Sequence, residues 1–267
     1  MPDELASPRA GSSDFFRELD IQILVHELKS PLSLIEAATR TLLAHPSRLG
    51  SLTERQEKSL KRILRGAVRG RRLVHQLLEI GAADSSQFNL SSFYPAEAVL
   101  KTVLESLESI GSELADRLNE ESDSDEKIAV LAQGGISIRI APGIRNKQIF
   151  QDQSKFDLIV SNLLQNALQF RNKLIEIELN EKGGDVILVV RDDGPGISPE
   201  HHAAIFERYK QLPASDGLER EGHGLGLAGA LILARRLGGD ISLDSVPDQG
   251  AMFRLRIPCE QAQGQTN

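Results

Sequence analysis

Two apolar stripes near the N-terminus constrain this chain more than any other feature. Apolar or small residues recur at Leu24, Leu28, Pro31, Ile35, Ala38 and Leu42, in alternating steps of four and three along a helix predicted from Leu19 to Leu43. Phe15, Phe16 and Leu19 extend that seam upstream. A break at His45-Pro46-Ser47, continuing to Gly50, stops the helix. A second run then carries Leu60, Ile63, Ala67, Val74 and Leu77 on one face. Two helices with a short connection make an αα-hairpin. Such a hairpin cannot bury its stripe alone, so two copies are predicted to pair as a four-helix bundle.

Beyond the small, polar stretch Gly81 to Ser86 the pattern changes. A helix starts near Pro95, with Leu100, Leu104, Leu107, Leu114 and Leu118 along one side, and the acidic run from Glu120 to Lys127 reads as a solvated loop. Ile136 to Ile140 alternates as a strand, Phe156 to Phe170 is helical, and Ile175 to Leu179 alternates again. Val186 to Val190 is a continuous apolar run that reads as a buried strand. A helix from about Leu225 to Leu237 and strands at Ile241 to Leu243 and Phe253 to Ile257 complete the chain. Helices and strands do not alternate strictly, so the fold class is α+β rather than a doubly wound sheet.

Composition excludes several function classes. The net charge of -7 argues against a general nucleic-acid binder. Cys259 is the lone cysteine, which rules out a disulfide framework and a thiolate zinc site. No apolar run approaches the ~20 residues of a membrane span, and the N-terminus lacks the pattern of a signal peptide. A cytoplasmic location is expected.

Four motifs carry chemistry. In His26-Glu27-Leu28-Lys29-Ser30-Pro31, His26 is turned about 200° from Leu24, away from the seam. An exposed His beside a Glu is either a solvated surface or a nucleophile whose proton the carboxylate accepts. Asn162 and Asn166 share one helix face, either as surface amides or as oxygens offered to a hard cation that also holds phosphates. Asp192-Asp193-Gly194-Pro195-Gly196 closes an apolar strand; a turn explains the glycines but not the paired carboxylates. Gly222-His223-Gly224-Leu225-Gly226 leads into a helix, where backbone N–H groups and the helix dipole favour an anion. It is neither a dinucleotide fingerprint nor a P-loop.

The order of these blocks, with Ile205-Phe206-Glu207-Arg208 between the last two, resembles the sensor histidine kinases of two-component systems. The resemblance covers roughly Ile21 to Pro258. It implies a dimerising histidine-phosphotransfer hairpin over residues 21–84, preceded by an arm or the end of a signal helix over residues 1–20. It further implies a catalytic ATP-binding domain over residues 90–258, an α/β sandwich of the Bergerat type shared with gyrase and Hsp90, and a flexible tail over 259–267. By position in the family pattern, His26 would accept the phosphoryl group and Glu27 would be its general base. Asn166 would ligate Mg²⁺ with Asn162 supporting the phosphates, and Asp192 would hydrogen-bond the adenine amino group. Gly194 and Gly196 would let backbone approach the nucleotide, a lid would run from about Ser198 to Glu221, and Gly222, Gly224, Leu225 and Gly226 would hold the triphosphate of ATP. The implied partners are a second copy of the chain and the receiver domain of a response regulator, with no nucleic acid and no membrane segment.

Several positions depart from the family pattern. Gln169 stands where Lys often contacts phosphate, Asp193 replaces a more usual Asn, and Ala251 sits where Thr is common. Ser30 occupies the position of a Thr or Asn that assists a phosphatase reaction. Gln169 and Asp193 keep a second reading open, an ATP-binding dimeric pseudokinase without phosphotransfer.

Overall fold

The computed structural model describes residues 28–43, 50–81, 88–110, 112–120, 123–207 and 226–260. The chain divides into two compact units, Met1–Ser86 and Gln87–Asn267.

The first unit is helical. Helix α1 is described over residues 28–43, and α2 spans Glu54–Gly81. A capping box starts α2: Thr53 Oγ1 accepts from the Gln56 N–H at 3.3 Å, and Gln56 Oε1 accepts from the Thr53 N–H at 2.9 Å. The two helices touch where Leu32 lies against Gly70, whose missing Cβ would come within 3.3 Å of the leucine. Arg71 pairs with Glu36 at 2.9 Å across the same contact. Thr39, Ala67, Val68 and Val74 are buried, whereas Leu28, Ile35 and Leu42, seven residues apart on α1, are exposed.

The second unit is an α/β sheet domain. Its elements are β1 (Leu90–Phe93), α3 (Pro95–Ile110), α4 (Glu113–Glu120), α5 (Ser124–Gln133), β2 (Ile136–Ile140) and the single turn α6 (Pro142–Arg145). They continue with β3 (Ile149–Asp152), α7 (Gln153–Phe170), β4 (Ile175–Lys182), β5 (Asp185–Asp192), two short 3-10 turns, α8 (Gly226–Arg236), β6 (Asp240–Ser245) and β7 (Ala251–Pro258). The main sheet runs β2-β4-β5-β7-β6, with β2 parallel to β4 and the other pairs antiparallel. Period-two alternation sends Ile175, Ile177 and Leu179, then Val186, Leu188 and Val190, then Phe253, Leu255 and Ile257 into the core with Phe156, Leu163 and Leu233. The outer face carries Arg139, which pairs with Glu176 and Glu178, and Arg256, which pairs with Asp185.

Three expectations need correction. The acidic run is not a loop throughout: Asp123 caps α5 by accepting from the N–H groups of Asp125 and Glu126, and those two acids then sit in its positive first turn. The charges mark a helix start, while Asp123 to Glu126 are exposed as the solvated reading expects. The helix predicted through Leu118 is two helices: α3 is described to Ile110, and α4 starts at Glu113, where Ser112 Oγ accepts the Leu114 N–H at 3.3 Å. Val186 to Val190 is buried on one face, with Ile187 and Val189 only half-buried on the other. The small sheet of β1 and β3 was not foreseen, because Leu-Ser-Ser-Phe has too few apolar residues to show alternation.

Asp157 on α7 is a carboxyl at odds with its surroundings. Its Oδ1 has no hydrogen-bond partner among the described residues, and its Oδ2 is 3.9 Å from Lys101 Nζ. Burial pushes its pKa up to about 6, with Lys101 pulling down and Glu105 pushing up. A carboxyl with a folded pKa above its unfolded value opposes folding when ionised, and the opposition fades as pH falls through about 6. Asp157→Asn is therefore expected to stabilise the protein at pH ~7.5 by about 1–2 kcal/mol, allowing for the 26% exposure of the side chain. The gain should shrink to about a third of that at pH ~4.5 and vanish only below the ordinary carboxyl range. Thermal melts at both pH values check this, and identical melting of both proteins at pH ~7.5 would refute it.

Candidate functional site

Two adjacent aspartates with opposite surroundings meet at the C-terminal end of β5. Asp192 closes that strand and is buried. Its Oδ1 accepts from the N–H groups of Gly194 at 2.9 Å and Ala251 at 3.3 Å. Its Oδ2 is buried with no hydrogen-bond partner among the described residues. Burial pushes the Asp192 carboxyl above the ordinary range, the two N–H groups pull it down, and Asp193 adds a push upward. An unpaired buried carboxylate oxygen is costly, so it marks where a ligand donor fits.

Asp193 has the opposite surroundings. Its Oδ1 accepts from the backbone N–H groups of Asn172 at 2.9 Å and of Lys173 and Leu174 at 3.0 Å. Although burial pushes it up, the N–H groups of Lys173, Leu174 and Asn172 hold this carboxyl below the usual range. The negative charge that replaces the family's Asn is thus engaged by the α7–β4 connection. Adjacent aspartates do different work here: one clips a loop and the other offers a free acceptor.

The turn after them is fixed within the chain. A Cβ on Gly194 would run into the Phe170 carbonyl, and Gly196, at φ +69°, lies against the Val246 carbonyl. Both positions therefore require glycine for protein packing before any ligand is considered. Asp248 N–H donates to Pro195 O at 2.7 Å, and Ile197 N–H donates to Ser245 Oγ at 2.9 Å. Ser245 Oγ in turn donates to Gly250 O at 2.7 Å. Sequence reasoning missed Ser245, although a signal existed. Ile241, Leu243 and Ser245 share one face of β6, and a serine at the third inward position is out of place in a core.

The second half of the site lies on α7 and α8. Asn162 is buried and Asn166, one turn on, is half-buried. Gly226 opens α8 beside them, since a Cβ there would lie 3.7 Å from Asn162 Oδ1. The amide face of α7 thus meets the positive end of α8. Gln169 is exposed. Ser30 is exposed on α1, in the other unit. His26, Glu27, Gly222, Gly224 and Leu225 lie outside the described residues. Among the described residues no three His, Cys, Asp or Glu side chains cluster as a metal site.

Comparison with known proteins identifies the chain. Residues 21–86 match the His Kinase A (phospho-acceptor) domain, and residues 151–261 match the histidine kinase-, DNA gyrase B- and HSP90-like ATPase domain. The chain belongs to the histidine kinases. The chain is 27% identical to the signal transduction histidine-protein kinase AfsQ2 of Streptomyces coelicolor, over 87% of its own length and 40% of the relative's. It is 25% identical to the sensor protein SrrB of Staphylococcus aureus, over 87% of its length and 36% of SrrB. The chain therefore spans less than half the length of these curated relatives. Its fold is that of full-length ShkA, crystallised in complex with AMPPNP, with a TM-score of 0.58, 23% identity and coverage of 90% of this chain and 46% of the other. No described helix is long and apolar enough to cross a membrane.

Proposed function

We propose that this chain is an ATP-dependent protein-histidine kinase that phosphorylates its own His26 and passes the phosphoryl group to an Asp on the receiver domain of a response regulator. The observation that carries the reading is the unpaired, buried Oδ2 of Asp192 at the end of β5, in the unit whose α7 and α8 bring Asn162 against a helix N-terminus. A buried acceptor suits the amino group of adenine, and a helix start suits a phosphate. The match of a phospho-acceptor domain over the stretch that contains His26 supplies the other substrate.

In this reading Asp192 takes the adenine amino hydrogen, and Asn162 with the start of α8 orients the phosphates. Gly222, Gly224 and Leu225 continue the phosphate-binding segment into Gly226. Mg²⁺ held by Asn166 and the phosphate oxygens would neutralise charge on the transferring group. The neutral imidazole of His26 attacks the γ-phosphorus, the bond to the β-phosphate oxygen breaks, and the imidazole proton passes to Glu27. Positioning carries most of the rate. Ser30, one turn beyond His26, would sit beside the phosphorylated ring in a phosphatase reaction.

The exposed Leu28, Ile35 and Leu42 support pairing of α1 and α2 with a second copy as a four-helix bundle, since a seam at seven-residue spacing is otherwise left in water. Incubation of the chain with γ-labelled ATP and Mg²⁺ is expected to give acid-labile, alkali-stable label, and a chelator should abolish it. Release of labelled phosphate with no label on the protein would overturn the reading in favour of a simple ATPase.

A further inference from the structure

Phe88 and Asn89, where the chain enters the second unit, sit on a buried ion pair that the site itself does not use. Asp152 and Lys155 are almost wholly buried and pair at 2.7 Å. Asp152 also caps α7 by accepting the Lys155 N–H at 3.1 Å, and its Oδ2 accepts the Asn89 N–H at 3.0 Å. Lys155 Nζ lies over the Phe88 ring, 5.5 Å from its centroid, and Arg236 Cζ, in the last turn of α8, lies over the same ring at 5.7 Å. One aromatic ring therefore touches the first turn of α7 and the last turn of α8.

Those two helices converge on the phosphate side of the site at their other levels. Asn162 lies seven residues beyond Lys155, about 10 Å along α7, and Gly226 lies ten residues before Arg236, about 15 Å along α8. Gly226 and Asn162 are neighbours there. The two helices form a frame pinned at its base by Phe88 and open to the ligand at its top. Asp192, in contrast, is anchored to the sheet through Gly194 and Ala251, none of which touches the clamp.

We infer that Phe88, with the Asp152–Lys155 pair and Arg236, is a positioning residue that sets the spacing of α7 and α8 and so tunes the phosphate half of the nucleotide site independently of the adenine half. The inference rests on the nucleotide-binding reading above. It also makes Phe88 and Asn89 a place where displacement of the chain reaches the phosphate side first.

The test is calorimetric titration of the full chain with Mg²⁺-ATP and, separately, with adenosine. Phe88→Ala is expected to weaken ATP about 10-fold and adenosine less than two-fold, because only the phosphate contacts depend on the clamp. Phe88→Tyr should keep the wild-type ratio of the two affinities. Phe88→Leu, which keeps apolar bulk without the aromatic face, should give a loss for ATP between the two and guards against a variant that fails to fold. Equal losses for both ligands, or none for either, would overturn the inference. A wild-type chain that binds neither ligand would overturn the nucleotide-binding reading, and the inference with it.

Discussion

Asp192→Asn is expected to lower ATP affinity roughly 10- to 100-fold while leaving the fold intact. The substituted Oδ1 can still accept from Gly194 and Ala251, so the turn keeps its two hydrogen bonds. What changes is the unpaired position, where an amide N–H₂ replaces Oδ2. A charge-assisted bond of about 1.5–3 kcal/mol is lost, and two donors face each other. The variant should not melt earlier than the wild type, because a buried carboxyl held above its ordinary range costs stability when ionised. Specificity should change as well. A 6-oxo purine presents an acceptor to the new donor, so the preference for ATP over inosine triphosphate should shrink or reverse. Calorimetric titration with both nucleotides measures this, and unchanged ATP affinity would remove Asp192 from the adenine subsite. In the wild type the sign of the pH dependence is fixed by the same group. On the proposed reading, ATP affinity should be greatest with Asp192 ionised and decline as pH falls through its raised pKa.

His26→Ala is expected to abolish acid-labile label completely while ATP affinity stays within about two-fold. The imidazole is the bond-forming atom source in the proposed transfer, so nothing short of a substitute nucleophile restores it. In the proposed reading the nucleotide contacts come from Asp192, Asn162, Asn166 and the start of α8, all in the other unit. Full labelling of the variant would mean that another side chain accepts the phosphoryl group.

Legibility in the sequence followed the physics of each element. The strands of the main sheet announced themselves because Ile175, Ile177 and Leu179 or Phe253, Leu255 and Ile257 alternate strictly, and burial of one face requires that. Helix α7 was visible from length and periodicity, and the paired asparagines on it from their polarity. The start of α5 was missed because Asp123, Asp125 and Glu126 were weighed as charge and not as cap and first turn. Strands β1 and β3 have four residues each, too few for a period to show. In the site, Asp192 was legible as a carboxylate ending an apolar strand. The job of Asp193 was not, since its partners are backbone N–H groups of Asn172, Lys173 and Leu174, which any sequence supplies. The Ala251 N–H on Asp192 was hidden for the same reason.

The most direct measurement is identification of the phosphorylated residue in the wild-type chain after incubation with ATP and Mg²⁺, by peptide mapping under alkaline conditions that preserve phosphohistidine. The account predicts a single modified peptide containing His26, lost on brief acid treatment. A stable phosphate on Ser30 or any other hydroxyl, or ATP consumption with no modified peptide, would contradict it.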